Sequence, residues 1–173
     1  QMSDIFTPVE HESPAVRHNT SGLTCHFFGA PTRMQLATFA GQPRGDDVGC
    51  VSDYENKATT LYATRYTPPI SLEEALAGGV AGIRHRFPDA QPLASTMTVT
   101  VDGAPVPRVA QFTIILNGER WFTSVIVAES NGWIYKLRYT SRAVEDESLT
   151  AHELEAGAMF ALMLGELSAA APE

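Results

Sequence analysis

RVAQFTIILNGERWFTSVIVAESNGWIYKLRYT, residues 108–140, decides the fold. Three runs of strand-forming residues, Arg108 to Leu116, Arg120 to Ala128 and Trp133 to Thr140, are joined at Asn117-Gly118 and Asn131-Gly132. Asn-Gly between apolar runs is the strongest short-range hairpin signal, because both residues tolerate the positive φ of a tight turn. The stretch predicts a three-stranded antiparallel meander.

The period of two along a strand ties loop length to the face on which each side chain falls. A two-residue turn at Asn117-Gly118 pairs Ile114 with Trp121, Phe112 with Thr123 and Ala110 with Val125, all apolar or neutral. The same turn at Asn131-Gly132 sets Val127 against Lys136 and Val125 against Arg138, which brings charge into that face. A three-residue loop, Ser130-Asn131-Gly132 with Gly132 left-handed in a bulge, pairs Val127 with Tyr135, Val125 with Leu137 and Thr123 with Tyr139. The bulged loop is therefore the expectation. It gives one buried face with Phe112, Ile114, Trp121, Val125, Val127, Tyr135 and Leu137. The other face, with Gln111, Thr113, Arg120, Phe122, Ser124, Ile126, Lys136 and Arg138, is mixed and basic.

A chain of 173 residues, 44% apolar and 18% charged, has the size and composition of one globular domain. No apolar run approaches the roughly 20 residues of a membrane span. The net charge is −8, and seven of the 20 acidic residues follow Arg142, after which no Lys or Arg occurs. An acidic chain without a basic cluster is a poor nucleic-acid binder.

Cys25 and Cys50 lie in two short strand-like runs, Leu23 to Phe28 and Val48 to Ser52. An even cysteine count without metal-ligand spacing favours one disulfide, Cys25 with Cys50 on adjacent strands, and an oxidising compartment. The other reading is two buried thiols in a reducing one. The chain starts at Gln1 rather than an initiator Met, which fits a processed product and a periplasmic or secreted location.

Along the chain, residues 1–21 show no period and contain Pro8 and Pro14, so they predict an extended or mobile arm before a single domain over residues 22–173. Glu10, His11, Glu12 and His18 in this arm have no fixed geometry for a metal. Leu23 to Phe28 and Met34 to Phe39 predict strands around Gly29-Ala30-Pro31-Thr32. Val48 to Tyr54 and Thr59 to Thr67 predict another pair across Glu55-Asn56-Lys57-Ala58. Asp46-Asp47 matches no calcium loop and reads as a polar turn. Ser71-Leu72-Glu73-Glu74 is a capping box, and Leu72, Leu76, Val80, Ile83 and Phe87 recur at helical spacing up to Pro88. Gly78, Gly79 and Gly82 each cost about 1 kcal/mol in a helix interior, so this helix is expected to approach the sheet closely. Gly-Gly-Val-Ala-Gly lacks the strand–loop–helix setting of a phosphate loop. His85 is expected on the wet side of the last turn. Ser95 to Val101 predicts a strand and Asp102-Gly103 a turn. A last helix is expected from about Leu149 to Leu167, capped at Ser148 or by a Thr150/Glu153 capping box, with Ala156, Met159, Phe160 and Met163 on its packed stripe.

The order ββββαββββα has no alternating βα units. It predicts α+β, an antiparallel sheet of about six to eight strands covered by two helices. The strand pairs, the helix opening Ser71-Leu72-Glu73-Glu74, the runs Trp121-Phe122-Thr123 and Trp133-Ile134-Tyr135-Lys136-Leu137, and a closing helix near Phe160 resemble the PsbP/Mog1-like family. The resemblance covers about Leu23 to Leu167 and rests on element order. It implies an α/β/α sandwich and small accessory or binding proteins, several from bacterial envelopes.

Catalytic signatures are missing from the sequence. There is no Gly-x-Ser-x-Gly elbow and no P-loop. His152-Glu153-Leu154-Glu155-Ala156 has Ala156 where a zinc-protease helix needs its second histidine. Cys25 and His26 are strand neighbours and point to opposite faces. No catalytic residue, metal site or cofactor is therefore assigned. The expected ligand site is the mixed face, Arg120, Lys136, Arg138, Gln111, Ser124 and Phe122, a groove for a small anionic ligand or an acidic stretch of a partner protein. The function read from this is an exported, non-catalytic accessory or binding protein. The alternative is an enzyme using polar groups such as Arg65, Tyr66, Arg120 and Arg138.

Overall fold

The structure, a computed structural model, describes residues 1–27, 34–95 and 99–170. A 3-10 turn, Met2–Asp4, leads into β1 (Phe6–Val9), β2 (Ala15–His18) and β3 (Thr24–His26), which pair antiparallel as a small sheet. The segment read as an N-terminal arm thus supplies two strands and buries Phe6 and His18. Next come β4 (Met34–Thr38), β5 (Asp47–Tyr54), β6 (Lys57–Thr64), α1 (Leu72–Arg86), β7 (Gln91–Leu93), β8 (Arg108–Leu116), β9 (Glu119–Ser130), β10 (Trp133–Arg142) and α2 (Asp146–Ala170). Among the described residues the larger sheet has seven strands in the order β4-β5-β6-β10-β9-β8-β7, with every pair antiparallel. This is the predicted α+β architecture.

Both Asn-Gly turns are two-residue turns in the left-handed region, with φ of 53° and 77° at Asn117 and Gly118 and of 52° and 78° at Asn131 and Gly132. The first gives the expected register, Ile114 opposite Trp121 and Ala110 opposite Val125. The second corrects the expectation. There is no bulge at Gly132: Ser130 pairs with Trp133, Val127 with Lys136 and Val125 with Arg138. Lys136 and Arg138 therefore share a face with Trp121.

The reason lies in how the sheet is covered. α1 packs over Phe112, Ile114, Val125 and Val127, while the cluster on the opposite face joins Phe122, Ile126, Leu137 and Tyr139 to Ala156, Phe160, Met163 and Leu164 of α2. With both faces buried, apolar residues occur at successive positions of β9, and alternation no longer separates the two registers. The local preference of Asn-Gly for a two-residue turn then decides. The charges are accommodated individually: the Lys136 ammonium lies 4.3 Å from the centre of the Tyr62 ring on the neighbouring strand, and Arg138 Nη1 runs beneath Gly82 of α1.

α1 begins as its sequence dictates. Ser71 Oγ accepts from the Glu74 N–H at 3.1 Å, and the Glu74 carboxylate accepts from the Ser71 N–H at 2.7 Å. The expected close approach occurs at Gly79, where an added Cβ would stand 2.7 Å from Val125 Cγ2. Gly78, one residue away, has no such neighbour within 4 Å. α2 starts earlier than expected, at Asp146, so neither Ser148 nor Thr150 caps it. Ser148 Oγ donates to the Glu145 carbonyl, and Glu153 accepts from Ser95 Oγ at 3.0 Å.

Three further expectations change. The β5–β6 turn is tighter than predicted, with Tyr54 opposite Lys57 across Glu55-Asn56. Cys25 and Cys50 are bonded, but β3 and β5 belong to different sheets, so the disulfide ties the small sheet to the large one rather than linking adjacent strands. The strand expected over Ser95 to Val101 falls partly on residues outside those described, and the turn Gly29-Ala30-Pro31-Thr32 lies wholly outside them. The flanking Ser95 and Val99 are not in strands, and the edge strand is Gln91–Leu93.

Candidate functional site

The six residues expected to form one groove are divided between the two faces of the sheet. Arg120, Phe122, Ser124 and Gln111 point towards the α2 side, and Lys136 and Arg138 towards the α1 side. Arg120 is committed to the chain entering α2: its Nε donates to the Ala143 carbonyl at 2.9 Å, Nη2 to the Val144 carbonyl at 3.3 Å, and Nη1 pairs with Asp146 at 2.7 Å. Phe122 is fully buried in an edge contact with Tyr139. Ser124 is buried, and Gln111 donates to the Ala94 carbonyl at 3.2 Å. Of the alternative polar residues, Arg65 pairs with Asp46 at 2.7 Å and lies over the Trp133 ring, away from Arg138. Burial raises the Tyr66 phenol above its usual range, and the charge of Asp47 adds to this.

Arg138 keeps part of the expected chemistry. It lines a groove of about 210 Å³ past the C-terminal end of α1, with Arg86, Phe87, Trp121 and the β5–β6 turn. Burial lowers the pKa of the Arg138 guanidinium, and the charge of Arg86 acts in the same direction. Arg138 Nε and Trp121 Nε1 are buried donors without a hydrogen-bond partner among the described residues. Lys136 is also held below its usual range, first by burial and then by Arg138, with Asp47 opposing.

The better-formed site is on the other face. A cleft of about 240 Å³ opens between α2 and the β3, β5 and β6 strands, with the Cys25–Cys50 disulfide in its wall. Its lining is mostly apolar, with Met34 and Leu61 on the strand side and Met159, Leu162 and Met163 on the helix side. The helix does not close over it: Leu162 is 57% exposed. Met159 and Met163, expected to be core, line the cleft.

Polar groups gather at two points of its rim. At one, Lys57 Nζ pairs with Glu155 Oε1, and Tyr139 Oη donates to Glu155 Oε2 at 2.7 Å. His152 Nδ1 is 3.0 Å from the same phenol, and its Nε2–H donates to the Arg142 carbonyl at 2.8 Å. Burial raises the Glu155 pKa, but the bonds from Lys57 and Tyr139 outweigh it and hold the carboxylate below its usual range. Burial, with the hydrogen bond to Glu155, pushes the Tyr139 phenol well up. At the other point, His26 Nε2 meets Glu166 Oε1 at 2.7 Å. The phenol is thus neutral and hydrogen-bonded, and the carboxylate is paired with Lys57.

These residues escape sequence reasoning because they come from β3, β4, β5, β6 and α2, with a methionine pair that at helical spacing reads as core. The only signal was that α2 is apolar nearly all round between Ala156 and Leu164, more than one buried face requires.

No protein-family model matches the chain, and no curated protein does. Solved structures do. LpqN, involved in cell envelope biogenesis of Mycobacterium tuberculosis, is similar at 18% identity and a TM-score of 0.42, over 93% of this chain and 87% of that one. The protein of unknown function PA94 from Pseudomonas aeruginosa, a putative regulator, is similar at 9% identity and a TM-score of 0.47, over 90% and 94%. CalU16 from Micromonospora echinospora is similar at 12% identity and a TM-score of 0.29, over 83% and 87%.

Proposed function

We propose that this chain is an exported, non-catalytic binding protein that holds a small, mainly apolar molecule in the cleft beneath α2. The observation that carries the reading is the cleft itself: about 240 Å³, apolar walls, and a few polar groups at the rim. Ligand sites have this composition, with apolar surface supplying affinity and a small number of polar groups fixing orientation. Export is supported by the Cys25–Cys50 disulfide, since such bonds persist in oxidising compartments. Among the described residues no helix is long and apolar enough to cross a membrane. The accessory role implied by the PsbP/Mog1-like resemblance accords with this reading.

N-phenyl-1-naphthylamine, whose emission rises in apolar surroundings, is the probe. The wild-type chain binds it saturably, and Met159→Trp, which fills the cleft from the helix side, abolishes the response. Equal responses from the two proteins contradict the reading. Free thiols in freshly purified native protein contradict export.

A second reading places a small anion in the Arg138 groove. It is favoured by the two buried donors, Arg138 Nε and Trp121 Nε1, that lack partners among the described residues. Buried donors left unpaired cost about 1–3 kcal/mol each, which a bound anion would relieve. Phosphate or sulfate raising the melting temperature of wild type but not of Arg138→Met supports this site; no effect on wild type removes it.

A further inference from the structure

His11, His26 and Glu166 offer one ligating atom each, and these three atoms lie within 4.8 Å of one another. We propose that they form a binding site for a divalent first-row transition ion of the zinc type, at the rim of the α2 cleft. The inference does not depend on the cleft taking an apolar ligand.

Three independent elements bring the ligands together. His26 ends β3, where it pairs with Ala15 of β2 and follows the disulfide-bonded Cys25. Glu166 is on α2. His11 lies in the short loop between β1 and β2, whose ends are held by the Val9–Ala15 pair. The run around His11 gives no metal geometry in the sequence, and the fold supplies it by adding partners from elsewhere. His18, from the same run, is not one of them. It is buried and bonded to Ser21 Oγ at 2.7 Å.

Two imidazoles and a carboxylate suit zinc, which binds their N and O atoms at about 2.0–2.2 Å. Ligand atoms around such an ion stand roughly 3–4 Å apart. The His26–Glu166 contact at 2.7 Å must open slightly to admit the ion, and the wider spacings must close slightly. The adjustable member is His11, an exposed side chain whose ring centre is 4.5 Å from that of His26. His26 and Glu166 are the fixed ones, about 10% and 23% exposed. The net charge of −8 favours the arrival of a dication. Three protein ligands leave a coordination position for water or for a donor group of a molecule in the cleft.

The test is calorimetric titration of the chelator-stripped full chain with zinc chloride. A single saturable site is expected, and His11→Ala, an exposed substitution, should weaken it by more than about ten-fold, since loss of even an outer-shell partner costs that much. Glu166→Gln should do the same, while His85→Ala, on the exposed end of α1, should leave affinity unchanged. Cobalt(II) bound in place of zinc should give visible absorption that His11→Ala removes, and circular dichroism of each variant confirms folding. Absence of a saturable site in wild type, wild-type affinity in His11→Ala, or equal loss in His85→Ala overturns the assignment.

Discussion

Adjacent glycines of α1 should respond differently to the same substitution. Gly78 has open space where a Cβ would go, so Gly78→Ala removes only the conformational freedom of glycine and should stabilise the protein by about 0.5–1 kcal/mol. At Gly79 the added Cβ falls 2.7 Å from Val125 Cγ2 and 3.5 Å from both Val125 Cβ and Cγ1. The other methyl and the Cβ are in ordinary van der Waals contact, so relief comes from a change of the Val125 rotamer or from a shift of α1. Val125 is fully buried on a central strand, so either movement disturbs packed neighbours. Overpacking of this kind costs about 1–3 kcal/mol, against which the helix propensity gain of about 1 kcal/mol is set. Gly79→Ala should therefore be neutral to about 2 kcal/mol destabilising, and the two variants should differ by roughly 1–3 kcal/mol. Urea denaturation with a common m value measures this directly. Adding Val125→Ala to Gly79→Ala should recover part of the loss caused by Gly79→Ala, since it removes the atoms in conflict. Equal stabilisation by both glycine substitutions would refute the packing of α1 on Val125.

Other consequences are open to simpler assays. Replacing Cys25 and Cys50 together with Ala opens a loop with a sequence separation of 25, and should cost about 3–4 kcal/mol in the chain-entropy treatment. An unchanged urea midpoint would contradict a stabilising bond. Asn131→Ala should cost about 1–2 kcal/mol, because a two-residue turn holds Asn131 itself at φ 52°; a bulged loop strained only at Gly132 would leave the variant near wild type. The Tyr135 phenol, buried and donating to the Ser21 carbonyl, is pushed up to about 12 by burial from its ordinary 10.0. A raised folded pKa means that this contribution is fully present below pH 10 and lost as the pH rises towards 12, up to about 2–3 kcal/mol in all. Absorbance at the phenolate band should show a late component that Tyr135→Phe removes.

The parts of the fold legible in the sequence are those fixed by local chemistry. Asn117-Gly118, the Ser71/Glu74 box and the helical spacing of Leu72, Leu76, Val80 and Ile83 each act over a few residues, and each appears where expected. The register of β10 was missed because it depends on what covers the sheet. Val125, Ile126 and Val127 are all buried, and a strand buried on both sides carries no alternation by which to place Lys136 and Arg138. Pro8 and the scattered charges of residues 1–21 hid two four-residue strands, which pair with each other while β2 also pairs with β3. The expected grouping on one face divided with the register, since Arg120 and Arg138 came to lie on opposite faces. The cleft was beyond reach for a different reason: it joins residues from Thr24 to Glu166, and sequence places no limit on how closely α2 covers the sheet.

Binding beneath α2 is tested most directly by following the backbone amide resonances of isotope-labelled protein during titration with N-phenyl-1-naphthylamine. Shifts should concentrate at Thr24 to His26, Lys57 to Leu61 and Met159 to Glu166, leaving Arg86, Trp121 and Arg138 unmoved. Shifts centred on Arg86, Trp121 and Arg138, or no saturable shifts at all, would contradict a ligand site in the cleft.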